Sequence, residues 1–219
     1  MQIRRRPSAR LTAAVAAVSL LLSVFDVAMA AGDFSDIIPE RCSGYGALQS
    51  FSSTDWERGL GPWTEGTRSV ANPATFDNPP WTVTGNLPDG RSGSAAFVAN
   101  PVSGSCGADD KTGVLFLDSP SIQIPAAAVI PRISVKHWYQ TEYGWDGGNF
   151  KISVNGNDFS LVPASAIENV AYEDELFPPL DNLGFELNSN PLSPQFVFTG
   201  TYQDRTTGFW VESRINLSG

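Results

Sequence analysis

Glu142 and Asp146 lie four residues apart around Gly144 and are the carboxylate pair to weigh for acid–base chemistry. Glycosidic bonds are hydrolysed by two carboxyl groups that flank the bond, one protonated and one ionised. In this chain the pair falls on an acidic, glycine-rich turn, TEYGWDGG over 141–148, instead of alternating along a strand. A turn favours solvated acids over a catalytic couple, and the same holds for Glu173, Asp174 and Glu175 in a loop region. Calcium is the more credible chemistry, because Ca²⁺ takes six to eight oxygens from carboxylates and carbonyls gathered on loops. Asp109 and Asp110, ahead of Thr112-Gly113, and Asp146, ahead of Gly147-Gly148-Asn149, are the candidate ligands of a structural Ca²⁺. The competing reading is that these side chains only cap their own turns. Aromatic stacking is the third chemistry. Trp145, between Gly144 and Asp146, is the tryptophan best placed for exposure, and Trp145 and Asp146 are the candidate binding residues. Trp56, Trp63, Trp81, Trp138 and Trp210 are expected mostly in the core, since each ring buries a large area.

Other catalytic templates are missing. The only histidine, His137, excludes H-E-x-x-H and any two-histidine metal site. Its place mid-strand beside Trp138 and Tyr139 predicts a packed, hydrogen-bonded imidazole rather than a member of a Ser/His/Asp triad. Neither a G-x-S-x-G elbow nor a phosphate-binding G-x-x-x-x-G-K-[ST] loop occurs. No catalytic residue is therefore assigned, and the chain is expected not to be an enzyme.

The N-terminus reads as a targeting segment. Arg4, Arg5, Arg6 and Arg10 precede an apolar run from Leu11 to Phe25, and Ala28-Met29-Ala30 fits an A-x-A cleavage site. Residues 1–30 are accordingly expected to leave as a signal peptide, giving a secreted or periplasmic product with no membrane insertion after cleavage. The apolar run is short for a span of about twenty residues. Four of the 14 Lys/Arg and one of the 23 Asp/Glu depart with it, so 10 basic and 22 acidic residues remain, a net charge near −12. Such a surface repels phosphate backbones, which argues against nucleic acid as a partner. An oxidising compartment permits one disulfide from Cys42 and Cys106, and that reading of Cys106 precedes a nucleophilic one.

The elements that would carry these groups are strands. Helical periodicity is nearly absent after the first thirty residues, and 16 Pro and 20 Gly leave little room for long helices. Short runs between turn signals predict strands at 48–52, 81–85, 94–99, 114–118, 121–124, 132–141, 149–155, 158–162, 195–198 and 208–216. In 132–141, Ile133, Val135, His137 and Tyr139 share the better core face. Asn155-Gly156 supplies the positive φ angles of a type I′ hairpin turn. Residues 31–46 read as an irregular lead-in, and 164–194 as a long surface loop with one helical turn at 164–168. The result is one all-β domain over 47–219, an antiparallel β-sandwich.

Three blocks carry a family resemblance. FSSTDWERGLGPWT (51–64) resembles the F-E-x-G-L-x-x-W opening of MAM-type jelly-roll domains, and TGVLFLDSP (112–120) their next segment. TEYGWDGGNFKISVNG (141–156) with LVPAS (161–165) resembles the MAM-like accessory domain of bacterial secreted metallopeptidases of the fungalysin-like kind; Asn190-Pro191-Leu192 and Phe198-Thr199-Gly200 fit the same template. The resemblance implies a jelly-roll (MAM/concanavalin-like) fold and a role in adhesion or substrate association, with an extracellular protein or glycan as partner. Two departures matter. The peptidase's zinc motif is absent, and the family's closing strand with its Cys-containing loop does not follow Leu217. In the family pattern Cys106 pairs downstream, so here Cys42 is the partner open to it. A missing strand also predicts an open edge or gap beside 208–217. The rival functions are a glycan-acting hydrolase using Glu142 and Asp146, and an inactive remnant of a secreted metallopeptidase.

Overall fold

Apolar alternation around two central strands organises the computed structural model, which describes residues 8–16, 19–23, 50, 52–70, 72–74, 76, 78–98, 112–184, 188–205 and 207–218. The strands in chain order are β1 (Ser8–Ala16), β2 (Ser19–Ser23), β3 (Thr64–Val70), β4 (Thr82–Thr84), β5 (Ala95–Val98), β6 (Gly113–Asp118) and β7 (Ile122–Gln123). They continue with β8 (Arg132–Gln140), β9 (Gly147–Val154), β10 (Ser160–Leu161), β11 (Ile167–Asn169), β12 (Asp174–Glu175), β13 (Phe196–Val197) and β14 (Phe209–Asn216). One six-stranded antiparallel sheet runs β10-β9-β1-β6-β3, with β7 also paired to β1; the other runs β11-β14-β8-β2-β5-β4. The all-β, antiparallel expectation holds.

Strand β8 shows why. Val135, His137 and Tyr139 are buried while Arg132, Ser134 and Gln140 are exposed, which is the period-2 pattern its sequence carries. Its neighbour β14 turns Val211, Ser213 and Ile215 inward at matching register. Leu115, Leu117 and Phe150 from the first sheet and Ala96, Val98, Val135, Tyr139, Val211 and Ile215 from the second form one apolar cluster, completed by Trp56, Trp81 and Phe198. Strand β6 is covered on both sides, because Val114 packs with Leu176, Leu192 and Val197 in a separate cluster. The turn after β9 has φ of +57° at Asn155 and +79° at Gly156, with Asn157 N–H donating to the Val154 carbonyl at 3.2 Å. These are type I′ values, as the dipeptide predicts. The pairing of Ser160 with Ile152 adds one residue beyond the two-residue loop, so β10 is shorter than expected.

Residues 8–16 and 19–23, within the segment expected to leave as a signal peptide, form β1 and β2, each between two strands at the centre of a sheet. A short apolar run has no periodicity that separates a signal h-region from a buried strand. Three other expectations need correction. Strand β3 was not anticipated; its TEGTRSV sequence lacks apolar alternation because it is an edge strand with a bulge at Ser69 (φ +52°). Of the strand expected at 48–52, the described residues Ser50 and Ser52 are not in strand. The 164–194 region is not a loose loop. It forms a 3-10 turn at Ala164–Ala166, then β11 against β14 and β12 against β13, and buries Tyr172, Leu176, Asn188, Asn190 and Leu192. Strand β14 pairs with β8 throughout and with β11 over 213–215.

Candidate binding face

Residues 141–146 coil into a single turn, with the amides of Trp145 and Asp146 both donating to the Glu142 carbonyl at 3.1 and 3.0 Å. Gly144 makes this turn feasible. Its φ is +74°, and a Cβ there would lie 2.6 Å from the Phe177 ring. The turn's polar backbone is met from the segment that precedes β14. Thr199, fully buried, accepts from Gly144 N–H at 2.9 Å and donates to the Asp146 carbonyl at 2.7 Å. Thr141 adds its hydroxyl to the same carbonyl at 3.0 Å. The Asn188 amide donates to the Gly144 and Phe177 carbonyls at 3.3 Å each, and the Asn190 amide to the Trp145 carbonyl at 2.8 Å. Asn188 and Asn190 are each 3% exposed, so these buried amides fix the turn where water cannot compete.

What the clamped turn presents is aromatic. The Trp145 and Phe177 rings meet edge to face at 5.4 Å and 82°, and Tyr143 and Phe177 at 6.4 Å and 84°. Edge-to-face pairs at such distances are favourable. Tyr143 is 50% and Phe177 37% exposed, with Trp145 half-buried beside them. The Tyr143 hydroxyl donates to Asp174, and that bond holds the Asp174 carboxyl below the usual carboxylate range. Glu142, Asp174 and Glu175 are exposed, so acids border the rings. Two apolar side chains on the loop after Phe177, Leu180 and Leu183, are also exposed.

Trp145 and Asp146, the expected binding residues, both lie on this turn, each half-buried. Tyr143 and Phe177 complete the face and were missed. Tyr143 sits two residues before Trp145, a signal that was present; Phe177 lies far along the chain, within a stretch expected to be loop. Asp146 is half-buried, and burial, then the nearby Glu142 charge, pushes its carboxyl up to about 7. Asp109, Asp110, Cys42 and Cys106 lie outside the described residues. Among the described residues no three His, Cys, Asp or Glu side chains form a group that could hold a metal ion.

His137 is fully buried, its ring 4.4 Å from Phe198 and 5.6 Å from both Tyr139 and Phe150. The Ser213 hydroxyl donates to the Val170 carbonyl at 2.5 Å, so its oxygen accepts from His137 Nε2–H at 2.9 Å. That leaves Nδ1 as the buried lone pair, without a hydrogen-bond partner. Burial lowers this imidazole to about 3, and it stays neutral. Of the remaining tryptophans, Trp56 and Trp81 are buried, while Trp63, Trp138 and Trp210 are partly covered. Among the described residues no helix is long and apolar enough to cross a membrane. Compared with known proteins, the chain matches no family model, no curated protein and no solved structure.

Proposed function

We propose that this chain is an exported, non-catalytic association module of the β-sandwich, MAM-like jelly-roll kind, and that it holds a glycan on the face formed by Tyr143, Trp145 and Phe177. The observation that carries the reading is the clamping, by Thr199, Asn188 and Asn190, of the turn that carries Tyr143 and Trp145, with the Phe177 ring packed edge to face on both. Rigid aromatic rings lose little conformational freedom on binding, and a sugar ring stacks its C–H face on them while its hydroxyls meet bordering acids. Two sheets that share one core support the sandwich architecture. The resemblance over 141–165 supports the association role.

The hydrolase reading has one observation in its favour, the raised Asp146 carboxyl, which at neutral pH would be partly protonated as a general acid is. Against it, Glu142 and Asp146 sit four residues apart on one short turn, near enough for the Glu142 charge to help raise the Asp146 carboxyl. Acid and base or nucleophile must instead flank a bond from different directions. Binding of the purified full chain to an immobilised glycan panel, with calorimetry on any positive, tests the proposal. Trp145→Ala should abolish binding while leaving the melting temperature within a few degrees. Binding that survives Trp145→Ala and Phe177→Ala refutes it, and release of reducing sugar would move the assignment to the hydrolase.

A further inference from the structure

The two strands built from residues 8–23 hold both sheets together. Strand β1 pairs with β9 over 9–16 and with β6 over 12–16, while β2 pairs with β8 over 19–23 and with β5 over 20–22. No pairing joins β9 directly to β6, or β8 directly to β5, among the described residues. Without β1 and β2 the second sheet would therefore divide into two and the first into β10-β9, β6-β3 and an unpaired β7, with a row of unpaired N–H and C=O groups on each side of a central gap. The gap borders the core. Position 13 stands opposite Leu117 and Phe150, position 20 opposite Val98 and Tyr139, and position 22 opposite Ala96 and His137. Those six residues are at most 2% exposed.

The same residues carry the marks of a leader, with Arg4, Arg5, Arg6 and Arg10, the apolar run 11–25 and Ala28-Met29-Ala30. One segment cannot be cut away during export and also stay at the centre of both sheets. We propose that a chain cut after Ala30 is a strand acceptor, whose two central gaps are filled by one extended segment of another polypeptide. The donor's chemistry is set by the register. It runs antiparallel to β9 and β6 with apolar residues at alternate positions, as Leu11, Ala13 and Val15 stand opposite Ile152, Phe150 and Gly148. It then crosses to the second sheet, antiparallel to β8 and β5, as 19–23 do. Backbone pairing supplies affinity in such strand addition, and alternate side chains supply specificity. Acceptance of a strand is a separate activity from glycan holding and does not rest on the aromatic face.

The test uses the full chain, made without export and carrying a protease site inserted between residues 24 and 49. After cutting, the N-terminal fragment should co-elute with the remainder in native buffer. After denaturation and removal of the fragment, the remainder should refold on adding a fluorescent peptide of residues 7–24, take up one equivalent and regain the melting temperature of the cut complex. The Ala13→Pro peptide should bind at least ~100-fold more weakly, because proline breaks a central ladder. The proposal is overturned if the remainder, freed of the fragment, refolds to the same melting temperature and takes up no peptide. Equal uptake of the proline peptide, or aggregation that the peptide does not prevent, overturns it as well.

Discussion

Replacing Gly144 with alanine separates two costs that meet at the aromatic face. The residue has φ +74°, and its new Cβ would stand 2.6 Å from Cε2 and Cζ of Phe177. Gly59 is the control, since it has φ +82° and nothing within 4 Å of a built Cβ. A left-handed conformation costs an L residue about 1–2 kcal/mol, and Gly59→Ala should lose that amount alone. Gly144→Ala must also displace the Phe177 ring, and forcing side chains apart in packed surroundings adds about 1–3 kcal/mol. For a chain of this size each kcal/mol moves the melting temperature ~2–4 °C, so Gly144→Ala should melt about 2–12 °C below Gly59→Ala. Thermal unfolding followed by near-UV circular dichroism measures both variants. A double variant, Gly144→Ala with Phe177→Ala, completes a cycle in which the coupling energy should equal the excess. If the two glycine variants melt together, or the excess persists without the Phe177 ring, the described contact does not exist and the clamped face loses its geometric basis.

Two pH-dependent predictions run in opposite directions. Asp146 is raised from 3.8 to about 7, so its contribution to stability is present below 3.8 and is lost as pH rises through about 7. Asp146→Asn should therefore be more stable than the parent at pH 8 and show no such gain at pH 4, measured by urea unfolding. His137 is lowered from 6.5 to about 3, so the stability of its neutral state is fully present above 6.5 and is lost as pH falls toward 3. Relative to His137→Phe, the parent should lose stability across that window with a limiting slope of ~1.4 kcal/mol per pH unit. Parallel curves for parent and variant would contradict the buried, neutral imidazole.

Local pattern made part of this molecule readable from its residues. The alternation of Ile133, Val135, His137 and Tyr139 gave the inward face of β8, and Asn155-Gly156 gave the hairpin turn, because both depend on near neighbours alone. Strand β3 carried no such signal, since an edge strand needs no apolar face of its own and Arg68 there bonds Asp118 while its guanidinium lies over Phe116. The place of residues 8–23 was illegible for another reason. An apolar run of that length suits a leader and a central strand equally, and nothing in it points to the pairing with β9, β6, β8 and β5. The turn at 141–146 stood out through Trp145 and Asp146. The clamping role of Asn188, Asn190 and Thr199 did not, because even where Asn190 and Thr199 fit the family template, only the fold brings the three onto three carbonyls and an amide of the turn.

A sugar ring stacked on Trp145 is visible directly by NMR. The six tryptophans of the chain give six indole N–H signals in a ¹H–¹⁵N correlation spectrum, and Trp145→Phe assigns one of them. Titrating the full chain with an oligosaccharide that it retains should shift the Trp145 indole signal progressively, while those of the buried Trp56 and Trp81 stay in place. Saturation that moves other indole signals and leaves Trp145 unchanged would place the ligand elsewhere and contradict a sugar contact at Trp145.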